Sequence, residues 1–415
     1  MARYHIETYG CTANRGESRA IERRLRDAGH RRVEGPGAAD VAILNTCTVV
    51  ETTEDRMRRR AAELAGETVD LIVTGCMALA QGEAFEGIDA RVRHWDEVPT
   101  AVGNGECPTT APSGEPVLDG VIGILPIARG CASDCSYCIT KRATGRIDSP
   151  PIDENVARAR ALLDAGAKEL RVTGQDTGVY GWDHNEVWLP ELLERVCELP
   201  GDFRVRLGMA NPKGVHRMRA ELADVYARHD ELYDFLHAPV QSGSNDVLAE
   251  MRRQHTVADF HEVLEAFDAR LDDWTLSTDV IVGFPTETTG DFRETMALLE
   301  EVRPEKLNVT RFSKRPGTDA AAMKGLGGTE KKERSSAVTD LKREIVGEAH
   351  AELVGTVRED ALVVEPGTDE SVKCRDRAYR QIVVPAADEY GLEIGDVVDL
   401  AVTDHETVYA IGEPA

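Results

Sequence analysis

The stretch RGCASDCSYC, residues 129–138, places Cys131, Cys135 and Cys138 at a C-x3-C-x2-C spacing. It follows a strand-like apolar run, Val121 to Ile127. Cysteine thiolates are the usual ligands of iron–sulfur clusters, and a cubane cluster commonly takes four of them. Three thiols in one loop therefore predict a cluster with one iron left open to bind something other than protein.

A structural zinc site is the alternative interpretation of this loop. Closed zinc sites take four ligands, commonly as two close pairs of Cys or His. The next Cys or His after Cys138 is the distant His184, so this loop offers no second pair. The sequence therefore favours an open iron–sulfur site over a zinc knot.

The composition sets limits on the class of protein. The chain has 415 residues, which predicts two to three domains. It has no apolar run of membrane-spanning length and no signal peptide, so a soluble, cytoplasmic protein is expected. Its 74 acidic and 49 basic residues, only ten of them lysine, give a net charge of −25. This composition is typical of halophilic proteins, and it does not exclude an RNA partner, because molar salt shortens the Debye length to about 3 Å.

The first hundred residues alternate between strand-like and helix-like stretches. The strands are expected at Arg3 to Tyr9, Val41 to Asn45 and Leu71 to Thr74, with charged helices between them. This βαβαβ order predicts a parallel sheet flanked by helices.

A second set of three cysteines follows these strands. Cys11, Cys47 and Cys76 each stand just beyond a strand, and the carboxyl ends of parallel strands meet at one edge, where α/β sheets bind ligands. We therefore expect the three thiols to converge on a second metal cluster. The alternative is that each cysteine only packs well at a strand end.

The turn-rich segment 103–120 predicts a domain boundary. Strand-like and helix-like stretches alternate again after it. Six strand-like runs, the first at Val121 to Ile127 and the last at Lys306 to Thr310, predict a partial (β/α)6 barrel of the TIM type. Active sites of such barrels lie at the carboxyl ends of the strands. The expected fold is therefore α/β, with domains at 1–105, 117–349 and 351–415.

The last domain is predicted to be a small β-barrel, because short β-branched runs alternate there with turn residues. Basic side chains beside an aromatic ring can grip phosphates and stack on a base. Candidate RNA contacts of this kind are Lys373, Arg375, Arg377, Tyr379 and Arg380. Arg56 and Arg59, on the helix after Cys47, form a second candidate patch. In both places an ordinary solvated surface is the alternative.

Together these features resemble the radical S-adenosylmethionine (SAM) methylthiotransferases over essentially the whole chain. The C-x3-C-x2-C loop with Tyr137 before its last cysteine is the radical-SAM signature. The resemblance implies two [4Fe-4S] clusters, one at each cysteine triad, with SAM bound and cleaved at the cluster of Cys131, Cys135 and Cys138. It also implies a C-terminal RNA-binding domain of the TRAM type, and cluster chemistry in place of a protein acid, base or nucleophile.

In this family, loops that follow the barrel strands contact SAM. The resemblance assigns such contacts to Gln175 and Asp176 in TGQDTG, to Arg206 in RVRLGMANP and to Gly283 in IVGFPTET. The last segment resembles the one that lies against the adenine of SAM.

The motifs YGCTAN, NTCTV, CSYCITK, TGQDTG and LGMANP resemble the archaeal and eukaryotic branch of the family. That branch acts on N6-threonylcarbamoyladenosine (t6A) at position 37 of tRNA and gives its 2-methylthio derivative. The expected partners are tRNA carrying t6A, an electron donor and a sulfur donor, with no membrane. The alternatives are a methylthiotransferase acting on a ribosomal-protein aspartate and, from another class, a non-catalytic RNA-binding protein stabilised by metal.

Overall fold

The computed structural model describes residues 1–48, 51–68, 70–103 and 116–415. Its N-terminal domain is a five-stranded parallel sheet in the order β2-β1-β3-β4-β5. The strands are β1 (Arg3–Thr8), β2 (Arg31–Arg32), β3 (Val41–Thr46), β4 (Asp70–Thr74) and β5 (Arg91–Val92). The helices are α1 (Thr12–Asp27), α2 (Glu51–Glu67), α3 (Gly75–Ala80) and α4 (Val98–Val102).

The order of these strands follows from their burial. β3 is buried at every position, as expected for a central parallel strand covered on both faces. The predicted parallel sheet is confirmed. The edge strands β2 and β5 were not expected, because two residues carry no periodicity.

The second domain contains six parallel strands, which confirms the predicted partial barrel. They form two three-stranded sheets, β6-β7-β8 and β9-β10-β11. The strands are β6 (Ile122–Pro126), β7 (Glu169–Thr173), β8 (Arg204–Leu207), β9 (Phe235–His237), β10 (Thr275–Val282) and β11 (Lys306–Arg311). The helices are α5 (Thr140–Thr144), α6 (Ile152–Asp164), α7 (Leu189–Cys197), α8 (Pro212–Arg228), α9 (Asn245–Glu250), α10 (Val257–Asp268) and α11 (Thr289–Val302).

The two sheets join through an irregular segment before β9. The amide of Val205 donates to the Glu231 carbonyl at 2.6 Å, and the amide of Tyr233 donates to the Val205 carbonyl at 3.0 Å. The main hydrophobic core lies between the six strands and their helices and includes Leu170 and Phe260. No described helix is both long and apolar enough to cross a bilayer.

A long helix leads into the C-terminal domain, a closed five-stranded barrel in the order β12-β13-β14-β16-β15. The elements are α12 (Gly328–Leu353), β12 (Val357–Pro366), β13 (Val372–Arg375), β14 (Gln381–Val384), α13 (Ala387–Tyr390), β15 (Val397–Glu406) and β16 (Tyr409–Pro414). The predicted β-barrel is confirmed. The expected boundary between 105 and 117 coincides with residues 104–115, which lie outside the described part of the chain.

The C-terminal barrel is attached to the six-stranded barrel by apolar contacts and by ion pairs. Leu362 and Val364 pack against Ile122 and Ile124 on β6. The side chain of Arg380 is buried, and its guanidinium pairs with three carboxylates: Glu305 at 2.7 Å, Asp273 at 2.7 Å and Asp376 at 3.7 Å. Glu305 and Asp273 belong to the six-stranded barrel, so this arginine links the two domains.

Arg380→Met is expected to weaken this attachment by about 3–5 kcal/mol, because buried carboxylates would lose their partner. The measurement is urea denaturation of the full chain, with limited proteolysis to detect a released C-terminal barrel. Arg343→Met is the control, since Arg343 pairs with Asp340 and both are largely exposed, which predicts a change within about 0.5 kcal/mol. Equal effects of the two substitutions would contradict the prediction.

Candidate functional site

The loop carrying Cys131, Cys135 and Cys138 leaves the carboxyl end of β6 through a position that requires glycine. Gly130 has φ +71°, and a Cβ there would lie 2.0 Å from the Arg146 carbonyl oxygen. The loop then turns back on itself: the Ser133 amide donates to Cys131 Sγ at 3.3 Å, and the Cys138 amide donates to the Cys135 carbonyl at 3.1 Å. The backbone therefore holds the three thiols in one compact turn.

Arg253 is the cation of this site. Its Nη1 lies 3.5 Å from Cys135 Sγ and 3.5 Å from the Tyr137 hydroxyl, and its Nη2 donates to the Pro239 carbonyl at 2.8 Å. Burial alone would lower the pKa of Arg253, but Tyr137 and Cys135 outweigh it and raise that pKa. A buried guanidinium thus stands against the sulfur ligands.

The chemistry of the donor set fits an iron–sulfur cluster. Burial and the nearby Asp176 raise the pKa of Cys131 to about 11, and burial raises the pKa of Cys135. These thiols therefore need a bound cation to become thiolates at neutral pH. In the described part of the chain, neither cysteine triad brings its three sulfur atoms within 4.8 Å of one another. A mononuclear zinc site with Zn–S bonds of about 2.3 Å needs a tighter grouping, whereas a cluster of several irons spreads its ligands further apart.

The second triad is assembled by close backbone approach at the carboxyl edge of the N-terminal sheet. Gly75, just before Cys76, has φ +88°, and a Cβ there would lie 2.2 Å from Asn45 Oδ1 and 2.5 Å from the Thr46 amide. A Cβ on Gly10, just before Cys11, would lie 3.1 Å from Cys47 Cβ. The two glycines allow the three strand ends to meet.

Buried side chains fix these strand ends. Asn14 Nδ2 donates to Asn45 Oδ1 at 2.9 Å and to the Thr46 carbonyl at 3.1 Å, while Asn45 Nδ2 donates to Ser18 Oγ at 3.0 Å. Cys11 Sγ lies 3.3 Å from Asn14 Oδ1. The network therefore connects the start of α1 with the end of β3.

The three N-terminal thiols follow strand ends at one edge of the sheet. Burial raises the pKa of Cys76, and Glu17, Cys11 and Cys47 raise it further. Burial also raises the pKa of Glu17 to about 7, partly offset by the guanidinium of Arg129 and a hydrogen bond with Asn45. The binding of a metal cluster by Cys11, Cys47 and Cys76 stays a prediction.

The two triads belong to domains that are in contact. Helix α3, which contains Cys76, packs against α5, which follows Cys138. Beside them, Arg315 from the loop after β11 pairs with Glu54 of α2 at 2.8 Å, and both side chains are buried. The structure thus places two all-sulfur sites at one interface.

Family models match two of the three domains. The model described as "Radical SAM superfamily" matches residues 125–299. The model described as "Uncharacterized protein family UPF0004" matches residues 3–95. Each matched segment contains one cysteine triad.

Curated relatives extend the match to the whole chain. A relative from Archaeoglobus fulgidus, named probable threonylcarbamoyladenosine tRNA methylthiotransferase, is 37 % identical over 100 % of this chain and 99 % of its own length. This chain belongs to the threonylcarbamoyladenosine tRNA methylthiotransferase family. The human member is 32 % identical, over 99 % of this chain and 73 % of its own length.

A solved structure supports the fold of this family member. The radical SAM methyltransferase TsrM from Kitasatospora setae superposes with a TM-score of 0.58 at 14 % identity, covering 77 % of this chain and 76 % of its own. At that identity the likeness concerns the fold alone.

The structure gives Asp176 a role within its loop. Its Oδ1 accepts from the amides of Gly178 at 3.1 Å and Asn211 at 2.9 Å, while its Oδ2 lies 4.0 Å from Cys131 Sγ. The side chain is 2 % exposed. Asp176 therefore joins the loops after β7 and β8 next to the thiols, with Gln175 half-buried beside it.

Gly283 and Arg206 lie in surroundings that the sequence did not predict. The Gly283 amide donates to Glu287 Oε2 at 2.6 Å, and a Cβ there would lie 2.3 Å from Lys331 Cγ on α12. The Gly283 amide is therefore already hydrogen-bonded within the protein. Arg206 lies 5.0 Å from the Phe235 ring and 5.7 Å from the Tyr379 ring. Because Tyr379 belongs to the C-terminal barrel, Arg206 lies at the interface of the two barrels, and its contact with SAM stays a prediction.

Three members of the expected RNA patch on the C-terminal barrel contact the six-stranded barrel, and the binding of RNA by this patch stays a prediction. Tyr379 and Arg380 are 9 % and 7 % exposed and contact the six-stranded barrel. Arg377 pairs with Asp230 at 2.9 Å and with Asp234 at 2.8 Å. Arg377 and Arg380, which the local sequence pattern assigned to phosphates, thus form ion pairs with carboxylates of the six-stranded barrel.

The remaining RNA candidates are more exposed to solvent. Arg56 and Arg59 on α2 are exposed, and the Arg56 guanidinium lies 5.1 Å from the Tyr9 ring. Lys373 is partly exposed and lies 3.7 Å from Glu365. Arg375 turns toward Tyr379 instead, at 5.2 Å.

Asp176→Ala is expected to lower the free energy of unfolding by about 1–3 kcal/mol, because two buried amides lose their acceptor. Asp176→Asn keeps an oxygen at that position and is expected to stay close to the wild type. The measurement is the urea midpoint of each variant. Equal destabilisation by Ala and Asn would contradict the role in joining the two loops.

Proposed function

We propose that this chain adds a methylthio group to C2 of t6A at position 37 of tRNA, beside the anticodon. The supporting observation is the juxtaposition of two open cysteine triads in a chain that aligns end to end with relatives named for this activity. A single-stranded anticodon loop exposes its bases to stacking and edge recognition. The target nucleoside can therefore leave the loop and enter the interface between the triads.

Each triad would hold one [4Fe-4S] cluster. Cys131, Cys135 and Cys138 would hold the cluster that binds SAM, and Cys11, Cys47 and Cys76 the second. When bound, the clusters and SAM supply radical cleavage of SAM and the transfer of sulfur. Three ligands for each cluster leave one iron free, which suits SAM at one site and a sulfur species at the other.

The chain's own residues position these groups. Arg253 sets a buried positive charge against Cys135 and partly balances the charge of the thiolates. Gln175 and Asp176, next to the SAM-binding triad, stay candidates for contact with SAM. The ion pair of Arg315 with Glu54 holds the two domains in register, so that the triads keep a fixed separation.

The proposed partners follow from the same assignment. tRNA carrying t6A is the substrate, and the exposed Arg56 and Arg59 lie on the helix after Cys47, where the RNA backbone would pass. An electron donor and a sulfur donor are required by the chemistry. A tRNA-modifying enzyme of this type acts in the cytoplasm, and the C-terminal barrel would serve as a TRAM-like domain.

Deletion of the gene is expected to abolish 2-methylthio-t6A in tRNA while t6A itself is retained. The measurement is mass spectrometry of nucleosides from digested tRNA, with and without the gene. Complementation by Cys131→Ala is the control and should fail. Unchanged nucleosides would refute the proposal and direct attention to methylthiolated aspartate in ribosomal proteins.

Gly75→Ala is expected to remove the N-terminal cluster, because its Cβ would overlap Asn45 and the backbone of Thr46. The variant should retain about four of about eight irons per chain and should still cleave SAM without forming product. The measurement is iron and acid-labile sulfide per chain. Gly66→Ala is the matched control, since a Cβ there meets nothing within 4 Å. A full iron content in Gly75→Ala would contradict the second cluster site.

A further inference from the structure

Three basic side chains surround the Tyr379 ring at the interface between the two barrels. The Lys306 ammonium lies 4.4 Å from the ring centroid, and the guanidinium carbons of Arg375 and Arg206 lie at 5.2 and 5.7 Å. The ring of Phe235 lies 5.0 Å from both Lys306 and Arg206. We call Arg206, Lys306 and Arg375 the cationic floor.

The cationic floor has no ion-pair partner within the described part of the chain. By contrast, neighbouring Arg380 forms ion pairs with carboxylates. Arg375 donates only to Gln381 Oε1 at 2.9 Å, and Lys306 donates to the Tyr379 carbonyl. The Nε atoms of Arg206 and Arg375 are buried without any hydrogen-bond partner. Burying a cation is costly, and a bound anion would compensate part of that cost.

The state of Lys306 supports the same conclusion. Burial and the nearby Arg375 lower the pKa of Lys306 well below its ordinary value, and burial lowers the pKa of Arg206. An anion bound beside Lys306 would favour its charged form. All three side chains nevertheless keep partial exposure, so a ligand can reach them.

Two members of the cationic floor lie on strands of the six-stranded barrel, Arg206 on β8 and Lys306 at the start of β11. Lys306 and Asn308 stand two residues apart on β11 and therefore face the same side. Asn308 Nδ2 donates to Asp279 Oδ1 at 2.7 Å, and His237 Nε2 lies 3.1 Å from the same oxygen. Asn308, Asp279 and His237 thus form a polar cluster on β11, β10 and β9.

We propose that the cationic floor binds the carboxylate of the threonylcarbamoyl group and so selects t6A over adenosine. This inference rests on the proposed function. In t6A the carboxylate is carried on N6, across N1 from the reacting C2. A purine that enters the barrel with C2 toward the clusters directs its N6 substituent away from them, toward the floor. Arginine and lysine form their strongest hydrogen bonds with carboxylates.

The test compares two anticodon stem-loops, one with t6A and one with its uncharged carboxamide. The holoenzyme is expected to bind the acid roughly 10- to 100-fold more tightly than the amide, the range for hydrogen bonds to a charged group. In Lys306→Met this ratio should fall to near one, with affinity for the amide loop unchanged. Arg206→Met provides a second variant, and the exposed Lys332→Met is the matched control, which should keep the wild-type ratio.

Two results would overturn the inference: equal affinity of the wild-type protein for acid and amide, or a wild-type ratio in folded Lys306→Met. The first result needs no variant, so a folding defect cannot mask it. Methylthiolation of the t6A loop by the wild-type protein is measured in parallel. Its absence would refute the proposed function, whereas methylthiolation without preference for the acid would refute only the role of the floor.

Discussion

The buried ion pair between Glu54 and Arg315 sets the relation between the two domains that carry cysteines. Glu54 also accepts from Gln81 Nε2 at 2.7 Å and from the Thr48 hydroxyl, so one carboxylate joins the segments after β3 and after α3 to the six-stranded barrel. A buried pair adds little net stability because desolvation offsets its attraction. Its effect is to fix one geometry. The contact of α3 with α5 joins the same two domains.

The parts of the site that the sequence predicts are those with local signals. Cys131, Cys135 and Cys138 are set by spacing within ten residues. Cys11, Cys47 and Cys76 are set by their place after strands, since parallel topology brings strand ends together. The six barrel strands follow from apolar runs of strand length.

The parts that the sequence does not predict depend on distant partners. Arg253 and Cys135 are separated by 118 positions, and no spacing rule marks such a contact. Arg206 and Tyr379 are a second example: their local patterns suggested SAM and RNA, and the structure adds a contact between the two side chains across the barrels. A basic side chain on a short strand has the same local sequence signal whether RNA or a neighbouring domain neutralises it.

The docking of the C-terminal barrel also bears on how this protein can change over evolutionary time. Tyr379 of one domain packs against Phe235 of the other, at 4.9 Å between ring centroids. Arg380 forms ion pairs with Asp273 and Glu305, which lie just before β10 and β11. An unrelated β-barrel inserted by recombination would lack both features and would leave the catalytic barrel with an open, unneutralised end. The C-terminal barrel therefore completes the packing of the six-stranded barrel, and substitutions at the interface of the two domains must be compatible with each other.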